Sequence, residues 1–437
     1  MNDTARNDLH SSKPKKQKIE LWVQVLIGLV LGVIVGRMFP DFAASNLKWL
    51  GQLFIDLIMM VIVPLVFFSI VSGVVSLGDP KTLGRMGAKA IFGYVATTMV
   101  AILLAFVLAN TFQPGVGVSE DIMQQLNFNI EQSGKEPAET ETKEAPDVTD
   151  ILLGIVPKNA IGAMAERNIL QVIFFAIFVG ATMVLMRGQT PLITNIVNEA
   201  AEIFYKIIEI IIRLAPYAVF GLTAWVVSAL GLDAIMSLLL LVVTVVTACI
   251  LQYVMMLAVL AVFGRLSPWP FMRKSLPYQL IAFSTSSSSA TIPTTMAVAE
   301  SKMGVSKTTT AMVIPLGATV NMNGTAIYLA ICTLFVAQLM GVDLTMGQYV
   351  TVLVTITLLA IGTAAVPGGS LVMMPIVFGT VGLPVAAIGL ILGVDRILDM
   401  VRTTINVTGD AFVSVMIDKS EGRLDMEMYN AHIAADE

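Results

Sequence analysis

Charge is scarce in this chain. Asp, Glu, Lys and Arg make up 13% of its 437 residues, where a soluble domain carries about 25%. Hydrophobic residues make up 56%, and the mean hydropathy is +0.82. That balance belongs to an integral membrane protein, with the lipid bilayer as its surroundings. Net charge is −5, too small to draw in nucleic acid. Histidine is nearly missing: His10 and His432 lie in the polar ends, so the apolar interior has neither the usual general base nor the usual zinc ligand. The two cysteines, Cys249 and Cys332, sit inside apolar segments without C-x-x-C or Cys/His spacing, and read as packing residues. No P-loop, complete GxGxxG or GxSxG occurs. These absences argue against an enzyme and against a covalent cofactor.

What is present is a series of apolar runs. A span needs about 20 apolar residues, and candidates fall at 21–38, 50–77, 90–112, 150–186, 200–230, 235–264, 308–340 and 385–417. The 150–186 stretch is interrupted by Pro157 and Arg167 and is expected to break into several helices. KPKKQK precedes the first run without a small-residue cleavage site, as expected of a retained helix rather than a cleaved signal. Lys/Arg bias sets orientation. KPKKQK, Lys81, Arg85, Lys89, Arg187, Arg265, Arg273 and Lys274 would share the cytoplasmic side with both termini. The acidic loop 113–148, rich in Pro, Glu and Thr, would be extracellular and disordered.

Two regions are apolar but do not read as spans. Residues 283–293, FSTSSSSATIP, lie between Lys274 and Lys302. Each arm is about 12–14 residues, too short to cross, and both ends carry cations. A re-entrant hairpin over 268–302 is expected, with the serine run at its tip. Residues 344–394 hold no charged residue, and GTAAVPGGS (362–370) breaks the run with glycines and Pro367. A second hairpin over 346–380 follows. The order hairpin, span, hairpin, span, entered from opposite sides, is an inverted repeat of the kind that builds transporter sites at the bilayer midplane. A channel filter or a pair of interfacial loops is the plainer alternative.

The last span contains VDRILDMVRTTINVTGD (394–410). At about 100° per residue, Asp395, Asp399, Arg402, Thr403, Asn406 and Asp410 share one sector of roughly 100°, with Arg396 at its edge. Each such charge costs at least about 2.5–3.5 kcal/mol to insert. Internal neutralisation of Asp399 by Arg396 and Arg402 is one explanation. Chemistry supplies another. Arg402 offers a planar fork for a carboxylate, and Asp399 one turn away suits an ammonium, so an acidic amino acid matches the pair. Asp410 and Asn406 offer oxygens to a small cation. NMNGT adds Asn321, Asn323 and Thr325, with Gly324 allowing close approach or unwinding. For NMNGT alone, an interhelical amide clamp is the bland alternative.

SSSSATIP, PLGATVNMNGTA (315–326), GTAAVPGG and DMVRTTINVTGD (399–410) occur in this order. On them the chain resembles the dicarboxylate/amino acid:cation symporter family, over nearly its whole length and most strongly over 280–410. The resemblance implies an all-α polytopic homotrimer in a prokaryotic inner membrane, with eight transmembrane helices and two re-entrant hairpins working as an elevator. Between a cytoplasmic tail at 1–20 and another at 421–437, scaffold helices would occupy 21–78 and 149–232. A transport domain would comprise 79–112 and 233–420.

By family pattern Arg402 binds the substrate side-chain carboxylate and Asp399 its amino group, with Thr403, Asn406, Thr325, Ser288 and the backbone near Val366 completing the pocket. One sodium would use Asp410, Asn406, Asn321 and Gly317. A second would use Thr319, Ala360, Ile361 and Thr363, and a third Tyr94, Thr97, Thr98, Asn321 and Asn323. Sodium-coupled relatives generally carry Asp at the position of Asn323, so the coupling ion is left open between sodium and protons. Leu329 replaces a glutamate tied to proton and potassium coupling in mammalian members. Ser286 stands where archaeal members keep an arginine, and Arg396 would supply that charge to Asp399. Having both Asp399 and Arg402 favours glutamate or aspartate over C4-dicarboxylates or neutral amino acids. An ion channel, or a serine hydrolase lacking a base beside its serines, stands further off.

Overall fold

The computed structural model describes residues 21–76, 80–116, 156–166, 168–186, 189–230, 233–361 and 368–431. KPKKQK, His10, nearly all of the acidic loop, Arg167, Arg187, Thr363, Val366 and His432 lie outside the described residues. Among those described, every regular element is helical. The first half comprises α1 (Leu21–Met38), α2 (Pro40–Asn46), α3 (Lys48–Ser76), α4 (Pro80–Phe112), α5 (Ala160–Ala165), α6 (Ile169–Leu185), α7 (Pro191–Ile212) and α8 (Ala215–Leu230). The second half comprises α9 (Asp233–Val262), α10 (Pro268–Thr285), α11 (Ser288–Ser301), α12 (Lys307–Val320), α13 (Asn323–Leu339), α14 (Met346–Ala360), α15 (Gly369–Thr380), α16 (Ile388–Glu421) and α17 (Met426–Asn430).

Among the described residues, four helical stretches are long and apolar enough to cross a membrane: Pro40–Val75, Arg85–Phe112, Ser237–Val262 and Lys307–Leu339. The outer faces of two of them agree, since Leu239, Val243, Ile250 and Val254 line one exposed side of α9, and Phe92, Leu103 and Val107 are exposed on α4. Backbone groups are satisfied within each helix, which is the condition for standing in lipid. α16 is too rich in charge to stand out by hydropathy, yet it is 34 residues long and its charges are mostly buried.

Several expected boundaries shift. The run 200–230 is not one straight span: α7 begins at Pro191, and α7 and α8 meet at a 49° bend. Pro216, without an N–H to donate, sits in the first turn of α8 just past that bend. The 308–340 span is interrupted at Asn321 and Met322, ahead of Gly324. The segment 421–437, expected to be a tail, carries α17, with Tyr429 fully buried. The serine run behaves as expected. α10 ends at Thr285, Ser286 takes a left-handed φ of 51°, and Ser287 caps α11 by accepting from the Ala290 N–H.

α1 packs closely along α8. A Cβ at Gly28 would lie 2.5 Å from the Pro216 carbonyl oxygen, one at Gly32 2.8 Å from that of Phe220, and one at Gly36 2.5 Å from that of Ala224. The glycines of α1, spaced by four, face α8 carbonyls at the same spacing, and such small residues let backbones approach in lipid. Gly32→Leu is expected to cost about 1–3 kcal/mol through overpacking. Thermal melting of the solubilised protein reads it, and an unchanged midpoint would show that the seam tolerates bulk.

Candidate functional site

The site is built where α16 crosses the break between α12 and α13. Every residue of α13 from Asn323 to Ala337 is buried, so the polar stripe of α16 faces protein rather than lipid. Asn406 joins the two. Its Oδ1 accepts from the Gly324 N–H at 2.8 Å, and its Nδ2 lies 3.3 Å from Thr325 Oγ1 and 3.2 Å from Met322 Sδ. A Cβ at Gly324 would stand 2.4 Å from the Arg402 carbonyl oxygen, so this glycine serves close approach, and the unwinding itself falls on Asn321 and Met322.

Arg402 is fully buried. Its Nη1 donates to Asp395 Oδ1 at 2.9 Å and its Nη2 to Asp399 Oδ1 at 2.8 Å. The guanidinium lies 3.8 Å over the Tyr328 ring, and Nε has no partner. Asp399 Oδ2 accepts from the Gly368 N–H at 2.9 Å and sits 3.5 Å from Arg396. Two carboxylates and two guanidiniums thus neutralise one another, which is the condition for carrying them in a membrane. The internal pairing anticipated from sequence exists, with Asp395 as a further member. In this conformation both Nη atoms of Arg402 are engaged by protein carboxylates.

A second cluster lies around Asp410, which is also buried. Asn321 Nδ2 donates to Asp410 Oδ1 at 2.9 Å, and Thr97 Oγ1 approaches Asn321 Oδ1 at 3.4 Å. Thr98 donates to Asn323 Oδ1 at 2.9 Å, leaving Asn323 Nδ2 without a partner. Tyr94 donates to the Val313 carbonyl at 2.7 Å, and a Cβ at Gly317 would fall 2.3 Å from Asp410 Oδ1 and 2.8 Å from the Tyr94 hydroxyl. Tyr94, Thr97, Thr98, Gly317, Asn321, Asn323 and Asp410 are therefore brought together. Among the described residues no group of three or more His, Cys, Asp and Glu exists. A cation here would rest on one carboxylate and neutral oxygens, a donor set for a hard ion.

Other expected residues are placed less directly. Thr403 donates to the Asp399 carbonyl and Thr319 to that of Leu316, each on its own helix. Ala360 packs on Met322, and Ile361 closes α14. Ser288 is buried in the first turn of α11, a helix that packs on α16. Sequence reasoning missed roles for three residues. Asp395 lay on the stripe, seven positions before Arg402, so its spacing was a usable signal. Tyr328 and Gly368 gave none, because only the fold brings them to Arg402 and Asp399.

Residues 21–420 match the sodium:dicarboxylate symporter family. The chain belongs to this family. It is 33% identical over 421 residues to the proton/glutamate-aspartate symporter of Escherichia coli (strain K12), covering 94% of this chain and 95% of that one. It is 35% identical over 418 residues to the proton/sodium-glutamate symport protein of Bacillus subtilis (strain 168), covering 93% and 94%. The C4-dicarboxylate transport protein of the same bacterium is 32% identical over 407 residues, with coverage of 93% and 94%. The family consists of symporters, and this member is a multi-pass membrane protein with a buried polar stripe on α16. Replacing Arg402 by methionine would leave Asp395 and Asp399 short of a counter-charge. It is expected to cost about 3–5 kcal/mol, read as a lowered melting temperature of the solubilised protein.

Proposed function

We propose that the chain is a secondary active symporter for L-glutamate and L-aspartate, driven inward by sodium or protons. The observation that carries this reading is the buried Arg402–Asp399 pair, one turn apart on α16 and already held in ion pairs. A ligand with a carboxylate and an ammonium can exchange into those pairs without leaving a buried charge unmatched: its carboxylate takes the Arg402 fork and its ammonium takes Asp399. The relatives named for glutamate and aspartate agree with that chemistry. The relative named for C4-dicarboxylates keeps open a second reading within the same class, but such a substrate lacks the ammonium that Asp399 suits.

In this reading Asn406, Thr325, Thr403, Ser288 and Val366 complete the substrate pocket. Asp410, Asn321, Asn323, Gly317, Tyr94, Thr97 and Thr98 serve coupling cations, together with Thr319, Ala360, Ile361 and Thr363. α10–α11 and α14–α15 are the two re-entrant hairpins of an inverted repeat, each followed by a span, giving eight spans in all. α1–α3 and α5–α8 form the scaffold of a homotrimer in the inner membrane with both termini cytoplasmic, and α4 with α9–α16 forms an elevator body. The packing of α1 on α8 and of α3 on α6 and α7, against that of α4 on α9 and α13, supports the division.

Arg402→Cys is expected to abolish uptake of aspartate and glutamate into proteoliposomes, and uptake at unchanged affinity would sink the assignment. The ion is read by imposing a sodium gradient or a proton gradient alone. Accumulation under sodium alone would mean that Asn323 serves without the anionic charge; accumulation only under the proton gradient would assign coupling to an acidic group such as Asp410 or Asp399.

A further inference from the structure

The last ten described residues do not leave the body of the protein. α16 ends at Gly422, whose φ of +68° turns the chain back, and Arg423 and Leu424 donate their N–H groups to the Asp418 carbonyl. The Asp425 N–H then donates to the Gly304 carbonyl at 2.9 Å, at the exit of the first hairpin. A Cβ at Gly304, where φ is +74°, would stand 2.5 Å from the Asp425 carbonyl oxygen. The Asp425 side chain caps α17 through the Met428 N–H at 2.9 Å.

From α17 the contacts reach the hairpin's other foot. Lys274, on α10, is 3% exposed. Its Nζ donates to the Met428 and Tyr429 carbonyls, each at 2.7 Å, and among the described residues it has no carboxylate partner. These are among the last carbonyls of α17, which lack partners of their own within the helix. Tyr429, fully buried, donates its hydroxyl to the Ser267 carbonyl at 2.8 Å, at the entry of α10. Asp418, buried at the end of α16, accepts from the Ser306 N–H and the Thr309 hydroxyl at the start of α12. Entry and exit of the hairpin are therefore both tied to the end of α16 or to the turn and α17 that follow it.

We propose that residues 422–431 form a clasp closing the base of the first hairpin onto α16, and that Lys274 is the positioning residue on which it closes. The hairpin tip, Ser286 to Ser288, is joined to that base by α10 and α11, and α11 packs on α16. The clasp thereby fixes the register of the tip against Asp399 and Asn406. A buried ammonium held by two α17 carbonyls, with the Tyr429 ring 5.9 Å away, suits this role: leaving it unpaired is costly, so the foot and the C-terminal turn open together or stay closed together.

The test compares Lys274→Met, Gly304→Ala and Tyr429→Phe in the full-length protein. Amide hydrogen exchange of α10 and α11 in the solubilised protein is expected to rise roughly tenfold to a hundredfold for Lys274→Met, the factor that a hydrogen bond to a charged group carries. Gly304→Ala and Tyr429→Phe should move in the same direction, and exchange in α13 should stay unchanged. KM for the transported amino acid should rise more than Vmax falls, because the tip loses register while the rest of the pathway is intact. Exchange at the wild-type rate in α10 and α11 of every variant that folds overturns the clasp. So does a fall in Vmax alone, which is what a merely structural role would give. Should Lys274→Met or Gly304→Ala fail to fold, Tyr429→Phe decides by the same criteria, since it removes one hydrogen bond and keeps the packing. The exchange readout needs no substrate, so it stands whether or not the acidic amino acid reading holds.

Discussion

The buried ion-pair group on α16 governs much of what surrounds it. Arg402, Asp395, Asp399 and Arg396 could not stand in a membrane unpaired. Their pairing fixes which face of α16 turns inward, and that in turn requires α13 to lie close, with glycine at 324 beneath the Arg402 carbonyl. Just past the break at Asn321 and Met322, the Gly324 N–H in the first turn of α13 is met by Asn406, and the Asp410 cluster is carried to α4 by the same helix. The apolar shell, with its lipid-facing rows on α4 and α9, is the setting for that one charged element.

On the proposed function, the same group would let a stable protein bind a charged ligand reversibly. An isolated buried arginine would hold a carboxylate tightly and would be unstable without it. Arg402 instead already has two carboxylate partners. Exchange of one carboxylate for another changes the net charge of the group little, so its free energy is a small difference between similar terms. Tyr328, stacked on the guanidinium, is untouched by such an exchange and holds the plane of the fork in place.

Much of this was legible in the sequence. Charge boundaries at Lys274 and Lys302 located the first hairpin, and the turn falls at Ser286 and Ser287 within the serine run. Helical periodicity gathered the stripe from Asp395 to Asp410. The parts that escaped depend on tertiary neighbours. Nothing local to 200–230 said that Pro216 would mark a 49° bend. Gly324 drew attention as a point of close approach or of unwinding, and only the fold shows that the approach is to the Arg402 backbone. Gly28, Gly32 and Gly36 were visible at four-residue spacing, but their partner, α8, is nearly 190 residues away along the chain and only the fold identifies it. The C-terminal end read as a polar tail because the burial of Tyr429 depends on groups in α10 that no local pattern reveals.

The break between α12 and α13 has one more consequence. α12 ends and α13 begins on either side of Asn321 and Met322, so two helix macrodipoles meet there with opposite ends facing. The C-terminal end of α12 carries a partial negative charge and the N-terminal end of α13 a partial positive one. The gap is thus a two-pole environment, friendly to a cation on one side and to an anion on the other within one turn of backbone. Asn321 and Asp410 stand at the negative end, and the Gly324 N–H held by Asn406 at the positive one. A ligand and its coupling ion arriving together would each screen the pole that the other leaves bare.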